Sequence, residues 1–321
     1  MSLTIEVKRF VDKLAEGDTK PLYELTPEQA RQVLLDAQSL PVAKAETDIE
    51  DVNISLGDSG RTMPVRILRP KHAAEKLPVI FYIHGGGWVM GDEKTHDRLI
   101  RKLCAETPAA VVFPVYPNAP QGQYPQVVKD LFSVLKYIAD EAENFGFDTG
   151  RLSVAGDSVG GNMATVMALM AKENGDRPKI IFQLLFYPVT NAEFNTGSYN
   201  QFADGPWLTR KAMQWFWDQY CPDVNMRSEI TASPLKADEK QLGGLPPTLI
   251  ITDENDVLRD EGEAYAHKLM SAGVETVSIR FNGTIHDFVM LNALADSKTS
   301  RAAVNFAIMI LRKKFKLNQG E

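Results

Sequence analysis

Along the middle of the chain, short apolar runs rich in β-branched and aromatic residues alternate with longer stretches of helical period. The runs fall near 62–69, 78–83, 109–115, 151–155, 180–186, 247–252 and 274–281. Their length and composition predict buried strands. Between most of them, apolar positions recur at helical spacing near 95–107, 124–144, 160–173, 259–272 and 298–315. A βαβα rhythm of this kind predicts an α/β fold, with a mostly parallel sheet covered on both faces.

Two segments break the rhythm. Residues 1–45 predict two helices, the second opened by Thr26-Pro27-Glu28-Gln29, an N-cap, a first-turn proline and a capping-box partner. Residues 190–225 carry an aromatic cluster that includes Trp207, Trp215, Phe216, Trp217 and Tyr220. Such an insertion either forms a lid over a ligand or anchors itself to the core, and both readings are kept.

Composition narrows the class. With 321 residues, the chain holds one large α/β domain or two small ones. Its net charge of −7 argues against a nucleic-acid partner. No run reaches the ~18 apolar residues that span a bilayer, so no membrane partner is expected. The start, Met1 to Arg9, has early charges and no apolar stretch, unlike a signal peptide. Two distant cysteines, Cys104 and Cys221, make no disulfide framework. A cytoplasmic protein is the expectation. There is no C-x-x-C or H-E-x-x-H, and no metal site or cofactor is expected.

The chemistry gathers just after the strands. Gly156-Asp157-Ser158-Val159-Gly160 lies between an apolar run and a helical stretch. A G-x-S-x-G in that context predicts a nucleophile elbow, a turn so tight that it lifts the serine hydroxyl out of the sheet. His84-Gly85-Gly86-Gly87-Trp88 follows the second run. Consecutive glycines there let backbone N–H groups converge on a developing oxyanion. Gly85, Gly86 and Val159 are the expected donors.

An acid and a base complete the set. Asp253, Glu254, Asp256 and Asp260 all follow the run at 247–252, and spacing does not choose among them. Of five histidines, only His286 stands in a post-strand loop near the C-terminal end of the chain. The resulting order, serine then acid then histidine, is that of an α/β-hydrolase.

Together these motifs resemble the hormone-sensitive-lipase-like esterases, from about residue 48 to 311. Gly156 to Gly161 resembles the family's G-D-S-A-G-G, with Val159 for alanine. Asp256-Val257-Leu258-Arg259-Asp260-Glu261-Gly262 resembles D-P-L-R-D-E-G, whose first aspartate is catalytic, so the resemblance selects Asp256. His286-Asp287-Phe288 resembles H-G-F. The resemblance implies an α/β-hydrolase fold, a mostly parallel eight-stranded sheet flanked by helices, with a helical cap. The division is then 1–45 N-terminal cap helices, 46–189 first part of the core, 190–225 cap insertion and 226–321 second part of the core.

The departures are local. Val257 replaces a proline, and Asn118 and Gln121 stand where the family often has leucine and glutamate. Asp287 replaces a glycine, and its charge is expected to raise the pKa of His286.

The expected activity is a serine carboxylesterase acting on small esters of short-to-medium acyl chains through Ser158, Asp256 and His286. Trp88, Trp207, Trp215 and Phe288 are the expected substrate contacts. Amides, carbamates and lactones would use the same groups. The rival is a catalytically idle binding protein, as in plant gibberellin receptors, which resemble these esterases without the histidine. A homodimer is common in the family, though no segment here speaks for one.

Overall fold

In the computed structural model, residues 1–17, 20–57, 60–73 and 76–317 are described. Helices α1 (Ile5–Ala15) and α2 (Pro27–Ala37) precede strands β1 (Thr47–Ser55), β2 (Thr62–Pro70) and β3 (Leu77–Ile83). Then come α3 (Asp97–Glu106), β4 (Ala110–Pro114), α4 (Gln126–Asp140), α5 (Ala142–Phe145), β5 (Phe147–Asp157), α6 (Val159–Glu173) and β6 (Phe182–Phe186). Two short helices, α7 (Gly197–Gln201) and α8 (Arg210–Tyr220), lie in the insertion. The chain closes with α9 (Glu239–Leu242), β7 (Thr248–Asn255), α10 (Arg259–Ser271), β8 (Thr276–Ile285) and α11 (Lys298–Lys314).

One eight-stranded sheet has the order β1-β2-β4-β3-β5-β6-β7-β8. From β4 to β8 all neighbours pair in parallel, and only β2 runs against the rest. Every residue of β3 and β6 is buried, so alternation disappears and a continuous apolar run remains. That is why these strands are legible in the sequence. Strand β1 was not among the seven runs. It is an edge strand whose residues are mostly exposed, which leaves it no apolar signature. The helix expected over 124–144 is interrupted at Glu141, where φ −96° and ψ 18° leave helical geometry.

The capping box forms as read: Gln29 N–H donates to Thr26 Oγ1 at 3.3 Å and Thr26 N–H to Gln29 Oε1 at 3.0 Å. Such caps contribute about 1 kcal/mol. The N-terminal helices lie across the strand C-terminal edge. From α2, Arg31 donates to the carbonyls of Val89 and Ala119, both at 2.9 Å. Gln38 Nε2 donates to the carbonyls of Thr95 (2.6 Å) and Met290 (2.9 Å). Lys211 of α8 stands 5.5 Å from the ring centroid of Tyr23, so the insertion meets the N-terminal segment above that edge.

Candidate active site

His84, Ser158, Asp256 and His286 are each the residue immediately after a strand: β3, β5, β7 and β8. All four strands are parallel, so their C-terminal ends share one edge, the usual place for a site in an open α/β sheet.

The elbow is built by close packing. Ser158 has φ +54° and ψ −120°, strained values for a residue with a side chain. A Cβ on Gly160 would stand 2.0 Å from the Ile83 carbonyl oxygen, and one on Gly156 would stand 2.4 Å from Gly160. Side chains at these positions would push the serine out of place. Helix α6, buried nearly all round, begins at Val159, whose N–H is one of the unpaired donors of the helix N-terminus.

Three side chains form a hydrogen-bonded line. Ser158 Oγ is 2.9 Å from His286 Nε2, and His286 Nδ1 is 2.7 Å from Asp256 Oδ2. Asp256 Oδ1 accepts the Leu258 N–H at 3.0 Å, which fixes the carboxylate. Ser158 and His286 are each 3% exposed and Asp256 is 1% exposed, so the line is shielded from water. Burial disfavours the imidazolium of His286, but the carboxylates of Asp256 and Asp287 outweigh it and lift its pKa to about 9. The Tyr187 ring meets His286 edge-on at 4.8 Å. Arg98 of α3 donates to the carbonyls of Val289 (2.6 Å) and Met290 (2.9 Å), tying down the loop that carries the histidine.

Of the four acids that follow the apolar run at 247–252, Asp256 is the one hydrogen-bonded to His286. Asp260 instead accepts the Ser198 N–H at 2.7 Å, and Glu254 accepts the Gly283 N–H at 2.7 Å. Asp253 is wholly buried, with no hydrogen-bond partner for either oxygen. Oxygens of Asp253 and Asp256 and a ring nitrogen of His286 lie within 4.8 Å of one another.

The glycine loop requires a correction. The Gly85 N–H donates to Asp157 Oδ1 at 3.1 Å, so it is spent on a buried carboxylate and is not free for an oxyanion. The amides of Gly86, Gly87 and Val159 make no hydrogen bond and remain as donors. Asp157 is the anchor of the loop. Besides Gly85 it accepts from Tyr82 Oη at 2.7 Å and pairs with His96 Nε2 at 3.1 Å. Burial opposes both charges, yet their mutual attraction prevails. The His96 pKa is raised and the Asp157 pKa is lowered from their ordinary values. Burial and the neighbouring His96 push His84 down to about 4, so it stays neutral. Sequence reasoning missed His96 because its partner lies 61 residues away.

The expected substrate contacts divide. Trp88 is 1% exposed, stacked on Tyr220 at 4.1 Å and edge-on to Trp217 at 4.7 Å. It fastens the glycine loop beneath α8, a packing role in place of the expected substrate contact. Phe288 is likewise sealed, against Phe281 and Tyr187. Trp207 is half-buried; its Nε1 donates to Asp287 Oδ2 at 2.8 Å and its ring lies 5.5 Å from Phe10 of α1. Trp215 packs on Phe216 at 5.3 Å. Phe216, a member of the insertion's aromatic cluster but not among the expected substrate contacts, lies directly over Gly87, where an added Cβ would come within 2.3 Å of its ring.

The block that resembles D-P-L-R-D-E-G also holds the insertion. Glu261 Oε1 accepts the N–H groups of Thr190 (2.6 Å) and Asn191 (3.1 Å), and Ser198 Oγ donates to the Val257 carbonyl at 2.7 Å.

Comparisons with known proteins agree with this geometry. Residues 80–290 match a family described as alpha/beta hydrolase fold. A thermostable esterase of Pseudomonas putida, known from a crystal structure, is 44% identical, with a TM-score of 0.95 and 99% of each chain covered. Carboxylesterase NlhH of Mycobacterium tuberculosis is 37% identical over 267 residues, 82% of each chain. An ethyl acetate hydrolase of Pseudomonas putida is 32% identical over 286 residues, 87% of this chain and 88% of its own.

Proposed function

Because this chain belongs to the alpha/beta hydrolase fold family, in its hormone-sensitive-lipase-like esterase group, we propose that it hydrolyses esters of short-to-medium acyl chains through Ser158, His286 and Asp256. His286 Nε2 takes the hydroxyl proton as Ser158 Oγ bonds to the ester carbonyl carbon. Asp256 holds the imidazole by its Nδ1–H and stabilises the imidazolium that forms. The amides of Gly86, Gly87 and Val159 receive the oxyanion, each such donor being worth about 3–4 kcal/mol in the transition state. The ester C–O bond then breaks as His286 gives its proton to the leaving alcohol. Water, deprotonated by the same nitrogen, attacks the acyl-enzyme and restores Ser158.

The observation that carries this reading is the unbroken line from Ser158 to His286 to Asp256, beside three unspent amides. An idle binding protein would have no need of the His286–Ser158 hydrogen bond. Amide, carbamate and lactone cleavage would use the same groups, but the Pseudomonas putida and Mycobacterium tuberculosis proteins compared above are named for ester hydrolysis. The short-acyl preference rests on Phe216 lying over the glycine loop and on the near closure of Ser158.

The described residues of 1–45 and those of 190–225 act in this reading as a cap, which is supported by Arg31 of α2 on the Val89 and Ala119 carbonyls and by Lys211 of α8 against Tyr23. Two buried free cysteines suit the reducing cytoplasm, where we place the enzyme. No helix among the described residues is long and apolar enough to cross a membrane. A homodimer is proposed on family resemblance alone, and sedimentation of the purified chain tests it.

A phosphonate ester reagent tests the nucleophile. One adduct per chain on Ser158, slowed by excess ester and absent in Ser158→Ala, is expected. An unlabelled chain, or a label on another residue, would contradict the mechanism.

A further inference from the structure

We propose that Asp253 is a positioning residue of the triad: it stands as the neutral carboxylic acid and donates its hydrogen to Asp256, which moderates the hold of Asp256 on His286. The proposal rests on the triad reading above and deepens it.

The argument begins at the end of β7. Its pairing with β8 shifts register between Asp253, opposite Phe281, and Asn255, opposite Ile285. Glu254 turns outward to the Gly283 amide, while Asn255 Nδ2 donates to the Thr284 carbonyl at 2.9 Å. Asp253 is left pointing inward, 0% exposed, with an oxygen within 4.8 Å of one on Asp256 and of a ring nitrogen of His286.

No N–H or O–H group donates to either Asp253 oxygen. Both Asp256 oxygens, by contrast, accept from N–H donors, Oδ2 from His286 and Oδ1 from Leu258. Asp256 is therefore the acceptor of the pair. An ionised Asp253 would be a buried anion that accepts no hydrogen bond, set within 4.8 Å of a second anion that already takes the His286 Nδ1–H. Asp287 adds a third carboxylate nearby, and Tyr187 faces the same space without offering it a cation. Two carboxyls in one dry site keep a proton between them, and here it belongs on the one with no donor. With that proton, Asp253 lies in side-chain hydrogen-bonding range of Asp256, and one of its two buried oxygens gains the partner it otherwise lacks. Burial first, and then the charge of Asp256, push Asp253 well above the usual carboxylate range, in agreement with the geometry.

The consequence falls on His286. The groups that bear on it are Asp256, Asp287 and Asp157, with Ser158 and Tyr187 in contact. Three carboxylates pull its pKa upward. A neutral donor on Asp256 spreads that carboxylate's charge and weakens its share of the pull, keeping the imidazole easier to deprotonate.

The test pairs Asp253→Asn with Asp253→Ala, with two measurements on the full chain. The first is the pH dependence of kcat/KM on a small ester. Asparagine retains a donor, so its acid limb should coincide with that of the parent chain. Alanine removes the donor, so its limb should move upward by ~1 unit. The second is infrared difference spectroscopy. The parent should show the carbonyl stretch of a protonated carboxylic acid at neutral pH, and both variants should lack it.

A downward shift in Asp253→Asn would mean that Asp253 is ionised and would overturn the proposal. So would two unshifted profiles, or a parent without the band. If Asp253→Ala does not fold, the asparagine variant and the infrared band still decide. A chain that shows the band but hydrolyses no ester would sink the triad reading while leaving the proton on Asp253 established.

Discussion

Asp287 Oδ1 stands 3.6 Å from His286 Nε2, the same ring nitrogen that hydrogen-bonds Ser158 Oγ. A carboxylate is thus set beside the atom that must accept the serine proton. Its own backbone is in the left-handed region, φ +67°, which suits the glycine of the family pattern better than an aspartate. The Trp207 N–H holds its other oxygen.

The first expectation concerns pH. His286 works as a base only when neutral, and its pKa in the resting site is lifted to about 9. Activity should therefore fall as pH drops below that value. Asp287→Gly or Asp287→Asn removes one of the charges that lift it. The acid limb of kcat/KM should move down, and the rate at neutral pH should rise. A limb that stays in place, or moves up, would show that Asp287 does not act on the base.

The second concerns acyl length. Phe216→Ala opens space above Gly87. One methylene in an apolar pocket is worth ~10–200-fold in discrimination. The ratio of kcat/KM for hexanoyl over acetyl esters should thus rise by about tenfold or more. The side chain is also core, 2% exposed, so unfolding should be easier by about 3–5 kcal/mol. An unchanged ratio in a folded variant would place the acyl chain elsewhere.

The third concerns the anchor of the glycine loop. Removing one partner of a buried ion pair typically costs about 3–5 kcal/mol, so His96→Ala should lower the urea midpoint by that equivalent. Asp157 has a lowered folded pKa, so its contribution is complete above its unfolded value and is lost as pH falls through the folded one. His96 has a raised folded pKa, so its contribution is complete below its unfolded value and is lost as pH rises through the folded one. The window common to both runs from roughly pH 4 to pH 6.5, the ordinary values of the two groups. The cost of His96→Ala should be greatest there and smaller at alkaline pH. A cost independent of pH would argue for packing alone.

The fourth concerns the insertion. Glu261 is buried and pushed up to about 8, chiefly by desolvation. Its raised folded pKa contributes stability at acid pH that is lost as pH rises through about 8. Glu261→Gln keeps an acceptor for the Thr190 and Asn191 amides but cannot ionise, so it should overtake the parent chain in stability at alkaline pH. Glu261→Ala leaves two buried N–H groups unpaired, at about 1–3 kcal/mol each. Denaturant melts of the three proteins across the pH range check both statements.

How far the sequence could be read follows from the range of each interaction. The central strands were legible because burial on both faces gives an apolar run, whereas exposed β1 left no such trace. The elbow at Ser158 and the loop at His84 are local, carried by glycines whose neighbours are fixed by the turn itself. The acid was not legible from spacing, since four candidates follow the run at 247–252; the family resemblance selected Asp256, and the fold brings it to a histidine 30 residues on. Gly85 was misread because its amide faces Asp157, 72 residues away. Trp88 was misread because the same aromatic composition serves a pocket or a seam, and only the stacking on Tyr220 tells them apart.

The central claim is that Ser158 is the nucleophile of an esterase. The most direct test is hydrolysis of p-nitrophenyl esters from acetyl to dodecanoyl by the parent chain and by Ser158→Ala. Activity should peak at the short acyl chains and fall in the variant by on the order of 10⁶-fold in kcat, the scale set by losing a triad member. Activity that survives the substitution, or a parent chain inert toward every ester, would contradict it.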